Sequence, residues 1–219
     1  MKIALFGGTF DPIHTGHLKA AEVAARRYGL DRVLFVPSGR PPHKTHKPLT
    51  DFPHRYAMVA LACARDPIFL PSLLEAPSAD GRVNYSLDTV RRARRGLKAR
   101  DRLYFLIGVD AFLDIRSWHG WRELLKLIHF IVVSRPGFGM ETVLEMLPSG
   151  LLRGTSGPTR QGKEIRLGAS TVLLLSGIRQ SVSAHEIRNV VRRGRPIPKA
   201  VPPGVGEYIR KENLYTRKK

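Results

Sequence analysis

Cysteine is almost absent: Cys63 stands alone among 219 residues, which rules out a disulfide within the chain and fits a reducing cytoplasm. Its surroundings, Met58-Val59-Ala60-Leu61-Ala62-Cys63-Ala64, read as a helix in which Cys63 is a small core residue and not a nucleophile. Acidic residues are scarce too, 18 against 37 Lys and Arg, for a formal charge of +19. That surplus favours an anionic partner: nucleic acid, an anionic membrane surface or a phosphorylated small molecule. The basic clusters Arg91-Arg92-Ala93-Arg94-Arg95, Arg192-Arg193-Gly194-Arg195 and Arg217-Lys218-Lys219 lie far apart, and none is interleaved with the aromatics of an RNA-reading sheet. They read as solvated faces and a tail, so weak polyanion affinity is expected and specific nucleic-acid binding is not. No run nears the roughly eighteen apolar residues of a membrane span. The first apolar stretch stops at Gly7, too early for a signal peptide. A cytoplasmic protein without membrane contact is expected; the sequence leaves a homo-oligomer open.

What the chain does have is strand and helix in alternation, over a length suited to one domain, residues 1–219. Strand-like runs fall at Lys2–Phe6, Arg32–Val36, Phe69–Leu74, Leu103–Val109, Ile128–Ser134 and Thr171–Leu175. Pro71 demotes the third to an edge or an irregular segment. Runs such as Val33-Leu34-Phe35-Val36 and Phe130-Ile131-Val132-Val133 are continuously apolar, as in parallel strands covered on both faces. Helical stretches separate them: Leu18–Tyr28, Phe52–Ala64, Ser86–Arg95, Trp121–Lys126, Met140–Leu147 and Ala184–Arg193. The order predicts an α/β fold, a Rossmann-like doubly wound parallel sheet with helices on both faces. Residues 148–169, crowded with turn formers and without apolar periodicity, read as a surface excursion.

In such sheets ligands collect beyond the carboxyl ends of the strands. The first strand runs straight into Gly7-Gly8-Thr9-Phe10-Asp11-Pro12-Ile13-His14-Thr15-Gly16-His17, and strong helix formers follow. Glycines allow a sharp turn or close backbone approach, and the opening amides of a helix attract anions. His14 and His17, three apart, share a face there. The pattern points to phosphate. Neither a Walker loop nor a dinucleotide fingerprint has this spacing, and two histidines without a third ligand are poor evidence for zinc. The plain alternative is a tight turn with two surface histidines.

Other strand ends add chemistry. Pro41-Pro42-His43-Lys44 presents Lys44 on a stiff loop, a point charge for a phosphate. Gly108-Val109-Asp110 offers Asp110 as a hydroxyl or base acceptor, a partner of hydrated magnesium, or only a helix cap. Ser183 caps a helix start from which Arg188 could return to a phosphate. Trp118 could stack on a flat ring or sit in the core. The remaining histidines, His119 among them, show no ligand spacing and read as surface or packing residues.

The glycine-histidine stretch resembles the signature of the nucleotidyltransferase superfamily that carries a His-x-Gly-His motif. With Pro41-Pro42-His43-Lys44, His54-Arg55-Tyr56-Ala57-Met58, Asn84-Tyr85-Ser86-Leu87-Asp88-Thr89, Gly108-Val109-Asp110, Trp118 and Ser134-Arg135-Pro136-Gly137, the chain is similar to bacterial nicotinate-nucleotide adenylyltransferases almost throughout. The resemblance implies transfer of AMP from ATP to nicotinate mononucleotide, with magnesium. It implies that His14, His17, Lys44 and Arg188 contact the ATP phosphates, and that Gly7, Gly8, Thr9, Phe10, Gly108, Asp110, Ser183 and Ile187 line the ATP. Nicotinate mononucleotide would be held by Gly8, Tyr85, Ser86, Asp110, Trp118 and Arg135. Two positions depart from the family pattern: Ser86 and His185 stand where it has threonine. Rivals are an adenylyltransferase for phosphopantetheine or nicotinamide mononucleotide, and a basic nucleic-acid-binding protein.

Overall fold

A computed structural model describes residues 1–39, 49–134, 140–159, 162–178 and 183–216. The described strands are β1 (Lys2–Gly8), β2 (Arg32–Pro37), β3 (Phe69–Pro71), β4 (Arg102–Gly108), β5 (His129–Val133), β6 (Gly154–Thr159), β7 (Gly162–Leu167) and β8 (Ser170–Leu175). They form one sheet in the order β3-β2-β1-β4-β5-β8-β7-β6. From β3 to β8 every neighbouring pair is parallel. The direction of winding reverses between β1 and β4, where Phe6 faces Phe35 on one side and Leu106 on the other. This reversal opens a crevice at the strands' carboxyl ends.

Eight helices are described: α1 (Thr15–Tyr28), α2 (Phe52–Cys63), α3 (Ser86–Arg95), α4 (Val109–Leu113), α5 (Trp121–Leu127), α6 (Met140–Glu145), α7 (Ala184–Arg192) and α8 (Pro203–Lys211). Alternation along β1 sorts them. Ala4 and Phe6 point into a core shared with Ala20, Ala21 and Ala24 of α1, Met58 of α2, Ile187 of α7 and Ile209 of α8. Ile3 and Leu5 point the other way, against Leu87 of α3, Phe112 of α4, Leu124 of α5 and Val143 of α6. The small alanine face lets α1 lie close on the sheet. Gly29, at φ 65°, ends that helix with its N–H on the Ala25 carbonyl. Among the described residues no helix is long and apolar enough to cross a membrane.

The segment 148–169 corrects the reading of a surface excursion. It contributes β6 and β7, an antiparallel hairpin that extends the sheet, with Ile165 opposite Val172 of β8. Glu164-Ile165-Arg166-Leu167 alternates with period two, and Ile165 and Leu167 are buried while Arg166 is exposed. The sheet is therefore parallel over six strands and antiparallel at one edge. At the other edge β3 is only three residues long, as Pro71 foretells.

Candidate active site

The turn after β1 is built by close packing. A Cβ on Gly8 would come within 2.9 Å of the Phe10 ring, so only glycine lets the chain fold back there. Phe10 takes φ 49° and buries its ring against Phe6, Phe35 and His17, with centroids 5.7, 5.8 and 5.1 Å away. Its side chain thus belongs to the core, and only its backbone could meet a ligand.

His14 is the N-cap residue of α1, and its ring lies over that of His17 with centroids 3.8 Å apart. The His14 backbone N–H donates to His17 Nδ1 at 3.2 Å. A neutral His17 must then carry its proton on Nε2, as a donor. Burial lowers the His14 pKa from 6.5 to about 4. His17 falls from 6.5 to about 3, through burial beside the phenylalanines and then through His14. Both imidazoles are neutral at neutral pH. His14 Nδ1 is buried and has no hydrogen-bond partner among the described residues, a cost of about 1–3 kcal/mol.

Arg188, on α7, reaches back to donate to the Asp11 carbonyl at 2.6 Å, so the histidine turn and this guanidinium share one corner. Ser183 is the predicted cap of α7: its hydroxyl accepts the Glu186 N–H at 3.2 Å and faces the Glu186 carboxylate at 3.1 Å. That hydroxyl is engaged by its own helix. Ile187 is buried and its N–H is spent on the Ser183 carbonyl, so neither its side chain nor its amide is available to ATP. Lys44 and Arg135 lie outside the described residues.

Beside this corner, at the reversal between β1 and β4, is a cavity of about 530 Å³. Gly7, Gly8, Thr9 and Gly108 form its strand-end wall, and Tyr85, Ser86 and Trp118 its far side. Trp118 is fixed edge-on against Phe105, centroids 6.0 Å apart. Seven predicted residues thus converge on one space. Asp110 does not line it; that residue is exposed in the first turn of α4, and Asp114 lines the cavity instead. His119, read as a surface or packing residue, is exposed and packs its ring 4.5 Å from that of Tyr85, and it also lines the cavity. Glu75, also in the wall, carried no sequence signal, and Asn84 entered only as the start of the Tyr85 segment. A separate groove of about 750 Å³ between α1, the end of α2 and the start of α8 holds none of the predicted residues.

A phosphate-seeking turn and a ring-sized cavity at the switch point of a doubly wound sheet define a nucleotide-handling enzyme. The family described as cytidylyltransferase-like matches residues 5–190. A probable nicotinate-nucleotide adenylyltransferase of Solibacter usitatus is 41% identical over 98% of this chain and 100% of its own length. One of Moorella thermoacetica is 38% identical over 98% of this chain and 91% of its own. The solved Plasmodium falciparum nicotinic acid mononucleotide adenylyltransferase complexed with NaAD shares the fold at a TM-score of 0.71. It is 21% identical and covers 98% of this chain and 97% of that one. The chain belongs to the nicotinate-nucleotide adenylyltransferase family of cytidylyltransferase-like proteins.

Proposed function

We propose that this enzyme transfers AMP from ATP to nicotinate mononucleotide, giving deamido-NAD and pyrophosphate, a step of NAD biosynthesis. The observation that carries the reading is the pair of neutral, overlapping imidazoles at the start of α1, set beside the cavity of Tyr85, Ser86 and Trp118. The 5′-phosphate oxygen of the acceptor attacks the α-phosphorus of ATP in line, and pyrophosphate leaves with the electron pair. Both reactants bring their reacting groups, so the protein needs no nucleophile. Its work is alignment and stabilisation of charge moving to the leaving group.

His14 and His17 suit that work because they are neutral. Each offers an N–H without desolvating a full positive charge, and growing negative charge on the leaving group raises their proton affinity as the reaction advances. Arg188 adds a permanent charge at the same corner, and Lys44 a further one. The acceptor ring lies against Trp118, with Tyr85 and Ser86 at its edge. Among the described residues no cluster of three His, Cys, Asp or Glu could hold a metal ion. Magnesium would be carried on the ATP phosphates and water, where it would neutralise phosphate charge. The excess of basic residues speeds capture of two polyanions. The reading places the enzyme in the cytoplasm with small-molecule partners.

The test is pyrophosphate release from ATP across a panel of nicotinate mononucleotide, nicotinamide mononucleotide and phosphopantetheine. Nicotinate mononucleotide should be used best. Equal or better use of the amide overturns the choice of acceptor.

A further inference from the structure

Glu75 lies between β3 and α3, 8% exposed, and is one of the residues that line the 530 Å³ cavity. The chemistry above makes no use of it. Thr89 of α3 donates its hydroxyl to Glu75 Oε1 at 2.8 Å, the Tyr85 carbonyl being a longer alternative at 3.2 Å. The backbone N–H of Gly39, just after β2, donates to the same carboxyl. The two chains are pressed together here: a Cβ on Gly39 would collide with the Glu75 carbonyl and come within 2.6 Å of Asn84 Oδ1. One carboxyl thus fastens the end of β2 to the helix whose first turn presents Tyr85 and Ser86.

We propose that Glu75 is a positioning residue of the acceptor pocket, holding the Tyr85–Ser86 corner against the strand ends and admitting an anionic acceptor only while uncharged. The inference rests on the reading of nicotinate mononucleotide as acceptor. Two negative charges in one cavity repel, so the second enters most easily where the first is protonated. The charged groups around Glu75 do not remove this repulsion. Arg92, from α3, bonds the Thr89 hydroxyl at 3.3 Å and attracts the carboxylate from behind. From the segment after β4, Asp114 and His119 line the same cavity. Burial outweighs Thr89, Arg92 and Gly39 and raises the carboxyl from 4.5 to about 7. Both forms are therefore present at neutral pH, and binding of the acceptor takes up a proton.

The test is the KM of each substrate against pH in the wild type and Glu75→Gln. A group titrating at about 7, whose charged form excludes the acceptor, raises acceptor KM about tenfold from about pH 6 to about pH 8. Glu75→Gln keeps the shape and the bond from Thr89 but cannot ionise, so its acceptor KM should lose that rise. Whatever slope remains belongs to the acceptor phosphate, which titrates at about 6, and to other groups. The KM for ATP should respond to pH alike in both proteins. Thr89→Val removes a donor that favours the carboxylate and should move the transition to higher pH, which decides the matter if Glu75→Gln does not fold. An acceptor KM with the same pH slope in wild type and Glu75→Gln, or a transition unmoved in Thr89→Val, overturns the proposal. A wild type that turns over nicotinate mononucleotide with a flat profile sinks this inference alone. A wild type that uses no pyridine mononucleotide sinks the reading of function, and this inference with it.

Discussion

The hydroxyl of Tyr215 donates to Asp11 Oδ1 at 2.7 Å, joining residues 204 positions apart. Asp11 is 3% exposed and follows the glycines of the histidine turn. The same carboxylate accepts the Thr50 N–H at 3.3 Å, while the Asp11 carbonyl receives Arg188. The glycine-histidine turn is thus held by the last described turn of the chain as well as by its own helix. Burial, and then the Asp11 charge, raise the Tyr215 hydroxyl well above its ordinary pKa, so it stays a donor at any working pH. Tyr215→Phe removes a donor to a buried carboxylate and should cost about 2 kcal/mol in urea unfolding. It should also lower turnover several-fold as the turn loosens. Unfolding at the wild-type midpoint would mean that the bond is not formed in solution.

Arg55 does for carbonyls what Tyr215 does for a carboxylate. It is 2% exposed, with Nε on the Thr50 carbonyl at 2.7 Å and one terminal nitrogen on those of Thr9 and Ser38 at 2.9 and 2.8 Å. The loops after β1 and β2 are so locked to one guanidinium. Arg55→Met fills the space but strands three acceptors, and should lose about 3 kcal/mol at roughly 1 kcal/mol each. Arg55→Lys should recover little, because a point charge cannot reproduce the planar fork. A loss in Arg55→Met below about 1 kcal/mol would show these carbonyls to be satisfied by water.

Arg55 also marks where sequence reading ends. Its motif was visible, but its partners lie 46 and 17 positions away, and no local period reports such a closure. The parallel strands were legible because both their faces are buried and leave continuous apolar runs. The glycine-histidine turn was legible because its chemistry is contiguous. By contrast, the β6–β7 hairpin hid its short alternation among turn formers. The helix α8 starts at Pro202-Pro203 and contains Gly204 and Gly206, residues that usually end helices, yet Val205 and Ile209 are buried beneath it. His119 and Glu75 became part of the cavity only through folding, and a lone histidine or glutamate carries no period at all.

His17 is the sharpest single test of the chemistry. Its Nδ1 is occupied by the His14 N–H, which leaves Nε2–H as the donor it can lend to a phosphate. His17→Ala should lower kcat by about 10²–10³, the usual effect of losing one preorganised donor to developing charge. The KM for ATP should move much less, since the interaction strengthens mainly in the transition state. Steady-state rates with nicotinate mononucleotide decide this. A variant with near-wild-type kcat would remove His17 from the mechanism.

The same histidines set a pH dependence of folding that Glu75 opposes. His14 and His17 fall from 6.5 to about 4 and about 3 on folding, so below pH 6.5 the unfolded chain binds protons that the native state refuses. Stability is then lost as pH falls from 6.5 toward those values, by about 2 kcal/mol for each histidine at about pH 5. Glu75 rises from 4.5 to about 7, so in that window the native state binds the extra proton. Its contribution therefore grows as pH falls from 7, by about 2 kcal/mol at about pH 5. Two losses against one gain leave a net loss of about 2 kcal/mol in the wild type between about pH 7 and about pH 5. Removing one opposing group should change that balance in a known direction: His17→Gln should be nearly insensitive across the window, and Glu75→Gln should lose about 4 kcal/mol. Urea unfolding of the three proteins at the two pH values measures each slope. If Glu75→Gln were no more acid-sensitive than the wild type, the Glu75 carboxyl would stay ionised in the native state down to about pH 5, contrary to its burial.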